Sequence, residues 1–195
     1  IGHGLGKTPD VVFARNLAQG FNWDVWFRTL GYTSSLIFNS TATGRTGFGS
    51  GTNDSNVFSA LWNYSAYNGQ KYLYYCFTSI KGFSKISQYI GNGQSNGPFV
   101  YTGFKPAMII TKRSDATSDW RIWDHKRDPE NDVNKILYPS AANAEGNETF
   151  GDFYSNGFKP RVTTSDYNAA GGVYQYLAFA ENPFVTSGGV PVPAR

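Results

Sequence analysis

DWRIWDHKRDP, residues 119–129, crowds two tryptophans, one of the chain's two histidines, several carboxylates and three cationic side chains into eleven positions. Taken alone it suggests an active site. The same chain supplies a control in NWDVWFRTLGY, residues 22–32. There the Trp-x-apolar-Trp frame returns, but Phe27 stands for Asp124, Arg28 for His125 and Gly31 for Asp128. Whatever scaffold the two stretches share does not need those carboxylates or that imidazole. Alternation along a strand puts Trp120 and Ile122 on one face and Arg121, Trp123 and His125 on the other. It likewise separates Trp23, Val25 and Phe27 from Asp24, Trp26 and Arg28. The first set is predicted to be core. Trp26 and Trp123, flanked by charge on their own face, are predicted to lie partly exposed beneath an Arg stem. A covering loop, a subunit interface and a sugar-stacking platform all fit such a position.

The likeness extends outward from these stretches. A shift of 97 positions lays Pro9 on Pro106, Val11-Val12-Phe13 on Met108-Ile109-Ile110 and Arg15 on Lys112, as well as both tryptophans. At a shift of 100, Leu36-Ile37-Phe38 meets Ile136-Leu137-Tyr138, Phe58 meets Phe158 and Tyr67-Asn68 meets Tyr167-Asn168. At 102, Tyr72, Tyr74 and Phe77 meet Tyr174, Tyr176 and Phe179. The added residues all fall in turn-like sequence. Self-similarity at this spacing is the mark of a repeated unit. The expected fold is all-β: two tandem, homologous β-sandwich modules of jelly-roll-like type. The expected boundaries are 1–83, 84–184 and an extended Gly/Pro-rich tail at 185–195. Strands are predicted near 10–15, 22–27, 35–39, 56–60 and 71–78, and again near 107–113, 119–124, 135–138, 156–162 and 173–180. Two more belong to 84–104, around its Gly-Asn-Gly and Asn-Gly-Pro turns, and one helical turn to 141–145. Copy one has no counterpart of about 84–97, which predicts that the chain is the C-terminal part of a longer protein.

Composition agrees with strands. Aromatic residues make up 17% of the chain and charged residues only 16%, with 22 glycines, a mixture suited to half-buried pleats and tight turns. The net charge of +3 is scattered and forms no basic stripe, so nucleic acid is not an expected partner. No run approaches the roughly 20 apolar residues of a membrane span. The lone Cys76, in LYYCF, cannot form an internal disulfide and reads as a buried thiol.

Candidate chemistry is thin. Asp124, Asp128 and Glu130 could supply a glycosidase pair, but nothing else in the sequence selects two of them, and Asp128-Pro129 suits a turn. Two histidines without a cysteine partner make no zinc site, and the Asn/Asp/Ser stretches 53–56 and 152–156 match no EF-hand spacing. No nucleophile elbow, metalloprotease, phosphate-loop or dinucleotide motif occurs. No catalytic residue, metal or cofactor is expected. The residues carried forward as ligand or interface candidates are Trp26, Trp62, Trp123, Arg121 and His125.

The segments GHGLGKTPDVVFARN (2–16), GNGQSNGPFVYTGFKPAMIITKRSDATSDWRIWDHKRDP (91–129), NKILYPSAANAE (134–145), SNGFKPR (155–161) and NAAGGVYQYLAFAENPF (168–184) resemble a family of tandem β-modules. That family occurs in virion structural and tail-fibre-like proteins of tailed bacteriophages, especially marine ones. The resemblance implies a virion surface component and brings no catalytic residues. The expected function is therefore a non-enzymatic part of a tail fibre or external appendage. It would assemble with identical subunits, a trimer among the options, and take part in host attachment. A capsid-surface decoration protein, a module binding host surface glycan through Trp26, Trp62 and Trp123, and a depolymerase using Asp124 or Asp128 are the competing readings.

Overall fold

The computed structural model of the chain describes residues 1–18, 20–32, 34–46, 53–60 and 69–183, and divides into two compact units, Ile1–Thr78 and Ser79–Arg195. Trp62 and the tail at 185–195 lie outside the described residues. The described fold is nearly all β. In the first unit β1 (Val11–Asn16), β2 (Asp24–Phe27), β3 (Ser34–Ile37), β4 (Arg45–Thr46) and β5 (Tyr72–Phe77) form one antiparallel sheet in the order β4-β3-β2-β1-β5. The second unit holds β6 (Ser84–Ile90), β7 (Val100–Tyr101), β8 (Pro106–Arg113), β9 (Arg121–Asp124), β10 (Val133–Leu137), β11 (Gly146–Tyr154), β12 (Gly157–Pro160) and β13 (Val173–Ala180). A single helical turn, α1 (Ser165–Asn168), precedes the last strand.

These eight strands pair in the order β6-β13-β8-β9-β10-β11-β12-β7. Five consecutive strands, β8 to β12, run as an antiparallel meander, where a jelly roll would need two Greek keys. The sheet must fold back on itself, because Tyr89 on the first strand of that order lies 5.8 Å, ring to ring, from Phe158 on the seventh. Sandwich or near-barrel is the result. Its core joins Ile109, Trp123, Ile136, Phe150, Phe153, Phe158, Tyr174 and Tyr176, and α1 adds Tyr167 to it. The smaller core of the first unit gathers Val12, Ala14, Trp26 and Phe58.

Three strands of each unit, β1, β2 and β5 in one and β8, β9 and β13 in the other, share a register. Val12 pairs with Trp26 and Cys76 across its two neighbours, and Ile109 pairs with Trp123 and Ala178 across its own. Those pairs are related by the shifts of 97 and 102. The chain's first residues join in: the Phe58 amide donates to the Ile1 carbonyl at 2.9 Å and the His3 amide to the Asn56 carbonyl at 3.2 Å. In the second unit Val100 pairs with Phe158, and the Thr102 amide donates to Asn156 at 3.0 Å.

Several strand expectations need correcting. On the third strand Val25 pairs with Leu36 but Ile122 pairs with Leu137, so the match slips by one residue from the apolar alignment. Ile136, not Leu137, faces the core. The region 56–60 supplies only an isolated bridge at Val57. The helical turn falls at 165–168 and not at 141–145. The nine-residue β11 went unforeseen, because GNETFGDFY reads as turn sequence.

Gly151 within β11 shows why a glycine sits in a strand. Its φ is +152°, and a Cβ there would collide with the backbone carbonyl of Lys159 on β12. Gly151→Ala is expected to lower stability by roughly 2 kcal/mol through overpacking and backbone strain. A urea unfolding curve checks this, and an unchanged midpoint contradicts it.

Candidate functional site

The residues of 119–129 are consumed by structure. Trp120 and Trp123 are both fully buried. Trp123 stacks on Phe150 at 4.3 Å and meets Tyr167 edge-on at 5.2 Å. Trp26 is buried as deeply, and its Nε1 donates to the Gly31 carbonyl at 2.7 Å. The expected partial exposure of Trp26 and Trp123 is therefore wrong. The charged neighbours that suggested it, Asp24 and Arg121, are themselves buried and paired internally. The Nε1 of Trp123 has no acceptor.

The carboxylates close turns. Asp124 accepts the Lys126 and Arg127 amides at 3.1 and 2.9 Å and the Arg127 Nε at 2.6 Å. Burial opposes its ionisation, but the Arg127 amide and guanidinium prevail and hold the carboxyl below its usual value. Asp128 Oδ2 accepts the Asn134 and Lys135 amides at 2.5 and 3.2 Å. His125 is buried, with Nε2 3.0 Å from Glu181 Oε1 and Nδ1 3.3 Å from the Ala107 carbonyl. At the register-equivalent place in the first unit Arg28 meets Asp10 at 2.5 Å. Each unit thus ties down the end of this strand with a side-chain contact made from different residues.

Among the described candidates Trp26, Trp123, Arg121 and His125, Arg121 pairs with residues that line a concave surface. Its guanidinium is buried, with Nη2 3.1 Å from Asp166 Oδ2, Nη1 3.0 Å from Ser118 Oγ and Nε 3.7 Å from Glu148 Oε2. It lies 5.5 Å from the Tyr167 ring centre and 5.8 Å from that of Tyr138, within cation–π range. Tyr138 donates to Glu148 Oε1 at 2.5 Å, Tyr167 to Oε2 at 3.4 Å, and Ser118 to Asp166 Oδ1 at 3.1 Å. Burial, then the Glu148 carboxylate, push the Tyr138 phenol well above its usual value, and burial lifts that of Tyr167 to about 12. Both tyrosines therefore stay protonated donors at neutral pH. Glu148, Thr149, Val162, Thr164, Asp166 and Tyr167 line an open depression of about 430 Å³.

A second surface was missed in the sequence. Tyr154, Gly157 and Tyr101 lie side by side across β11, β12 and β7, on the face opposite the buried row Phe153, Phe158 and Val100. Tyr101 is 64% exposed and Phe99 48%, and Phe99 stands 5.8 Å from Tyr154, ring to ring. Gly157 makes room for it: a Cβ there would come within 2.9 Å of the Phe99 ring. The alternation of PFVY hinted at this row, but its neighbour Tyr154 arrives only through long-range pairing.

Other sites are mundane. Asp54 closes a turn by accepting the Asn56 and Val57 amides at 2.7 and 2.9 Å. Burial raises the Cys76 thiol to about 11, which suits an inert side chain. Among the described residues no group of three or more His, Cys, Asp or Glu is placed to hold a metal, and no helix is long and apolar enough to cross a membrane. A family model, described as a domain of unknown function (DUF7483), matches residues 1–183. The chain belongs to that family. The DUF7483 match spans both compact units. No curated protein and no solved structure matches the chain.

Proposed function

We propose that this DUF7483 chain is a non-enzymatic structural component of a phage virion. It forms part of a tail fibre or external appendage, assembled with copies of itself and involved in host attachment. The observation that carries the reading is the exposed pair Phe99 and Tyr101, with the half-buried Tyr154 beside them, at β7, an edge of the eight-stranded sheet. Exposed aromatics on a strand with a free edge are costly for a monomer and useful between subunits. Internal use of Asp124, Asp128 and His125 supports the same view, since it leaves the opening motif to hold strands and turns. The register shared by three strands of each unit supports a further part of the proposal, that one module is written twice. Repetition lengthens an appendage while reusing one folding solution.

Native mass spectrometry tests the interface. The chain is expected to form a closed oligomer, and Tyr101→Lys with Phe99→Ser is expected to yield monomers with an unchanged circular dichroism spectrum. A wild-type chain that stays monomeric across the concentration range contradicts the proposal, as does a double variant that assembles normally.

A further inference from the structure

We infer that the outer edge of β5 in the first unit is an acceptor for an extended strand of another polypeptide, added antiparallel as β6 is added to β13. The internal repeat carries the argument. β1, β2 and β5 correspond to β8, β9 and β13, but β13 lies between β8 and β6, whereas β5 has β1 on one side and ends its sheet. β6 covers β13 through seven consecutive pairs, from Val173 with Ile90 to Phe179 with Ser84. Burial follows the difference. Tyr174 to Ala178 are all buried, while none of their counterparts Tyr72 to Cys76 is. Tyr75 is 48% exposed where Leu177 is 1% exposed. This inference does not rest on the subunit reading, because it concerns the first unit and the Phe99–Tyr101 surface belongs to the second.

The edge is also unguarded. Native sheets blunt an open edge by keeping it short, or with charge, proline or a bulge. β4 and β7 are two residues long, too short to offer a partner much backbone, and β6 carries Lys85. β5 is YLYYCF, six residues without charge or proline, paired with β1 in six unbroken steps. Among the described residues every strand already has its place in one of the two sheets, and β6 is engaged along its whole length, so the added strand comes from another chain. β6 shows what such a strand looks like. Ile86 is buried opposite Leu177, and Tyr89 lies opposite Tyr174, stacked on it at 5.0 Å. The shift of 102 puts Tyr75 and Tyr72 in the places of Leu177 and Tyr174. The partner is therefore an extended segment with an aliphatic residue three positions before an aromatic one, which places one on each face of the strand. Main-chain hydrogen bonds supply the affinity of such an added strand and the alternate side chains its specificity.

Hydrogen exchange on the full chain tests this with the synthetic peptide FSKISQYIG, the sequence of residues 83–91, as the probe. The peptide is expected to bind with a Kd of about 100 μM or tighter and to slow exchange of the amides of Tyr72–Phe77. Placing the substitutions in the peptide leaves the folding of the chain untouched. Ser87→Pro, which breaks the ladder at the centre of the added strand, should weaken binding at least about tenfold. Tyr89→Ala in the peptide should weaken it several-fold through loss of the aromatic contact. Absence of binding up to about 1 mM overturns the inference. So does protection that falls on β6 or β13 instead of β5, or a Ser87→Pro peptide that binds as well as the parent. Protection of β5 that grows with chain concentration in the absence of peptide means that a second copy takes the edge, and this overturns the proposed partner. None of these results depends on Phe99 or Tyr101, so a failure here leaves the subunit proposal to its own test.

Discussion

Trp123→Ala is expected to destabilise the second unit by about 3–5 kcal/mol, the usual cost of emptying a large aromatic site. The indole is fully buried, stacked on Phe150 at 4.3 Å and wedged against Tyr167. Its removal also strips the floor from beneath Arg121, whose guanidinium leans on the same Tyr167 ring at 5.5 Å. Against a total stability of roughly 5–15 kcal/mol, such a loss brings the unit close to unfolding. Phenylalanine separates packing from hydrogen bonding. Trp26→Phe leaves the Gly31 carbonyl without its 2.7 Å donor, whereas Trp123→Phe removes an N–H that had no acceptor. An unpaired buried polar group such as the Trp123 N–H costs about 1–3 kcal/mol, and its removal offsets part of the lost packing, so Trp123→Phe should be the milder of the two. Urea unfolding of the three variants decides it. A Trp123→Ala midpoint no lower than that of Lys85→Ala contradicts the assignment of Trp123 to the core.

The second large effect is a dependence on pH at Asp24. Burial lifts this carboxyl from its ordinary 3.8 to about 6, and Arg45, 3.5 Å away, offsets that only in part. Oδ1 of Asp24 has no hydrogen-bond partner. A carboxyl whose folded pKa is raised opposes folding once the unfolded chain ionises. Below about 3.8 both states hold the proton and nothing is lost. Between about 3.8 and 6 only the folded state keeps it, so stability falls as pH rises. Above 6 the full penalty applies, on the order of 3 kcal/mol for a shift of this size. Asp24→Asn should therefore stabilise the first unit at pH 8 by an amount of that order and leave it unchanged near pH 3.5. The difference between the two proteins isolates this residue from Asp124 and Glu181, whose lowered pKa values act in the opposite sense. Parallel stability curves across that range contradict the assignment.

What the sequence made legible follows from the range of the interactions involved. The correspondence of β1, β2 and β5 with β8, β9 and β13 was readable, because Val12, Trp26 and Cys76 and their counterparts keep constant shifts. The third strand slipped by one residue, because matching apolar to apolar cannot see that Ile136 faces in while Leu137 faces out. Trp26 and Trp123 were placed on a half-exposed face by their charged neighbours. All four residues of β2 are in fact buried, and alternation says which residues share a face but not which faces are wet. Arg121 was recognised as a candidate from its position alone. Glu148, Asp166, Tyr138 and Tyr167 were not, since they reach it from β11, α1 and the segment after β10, and no local pattern links them. The Phe99–Tyr101–Tyr154 row escaped for the same reason.

Immunogold labelling of intact, purified particles with antibody raised against this chain puts the proposed role to its most direct test. Gold on a tail fibre or other external appendage, at several copies per particle, is the predicted result. Particles that carry no label, while the antibody finds the chain free in the lysate, would contradict the view that this β scaffold is a building block of the virion surface.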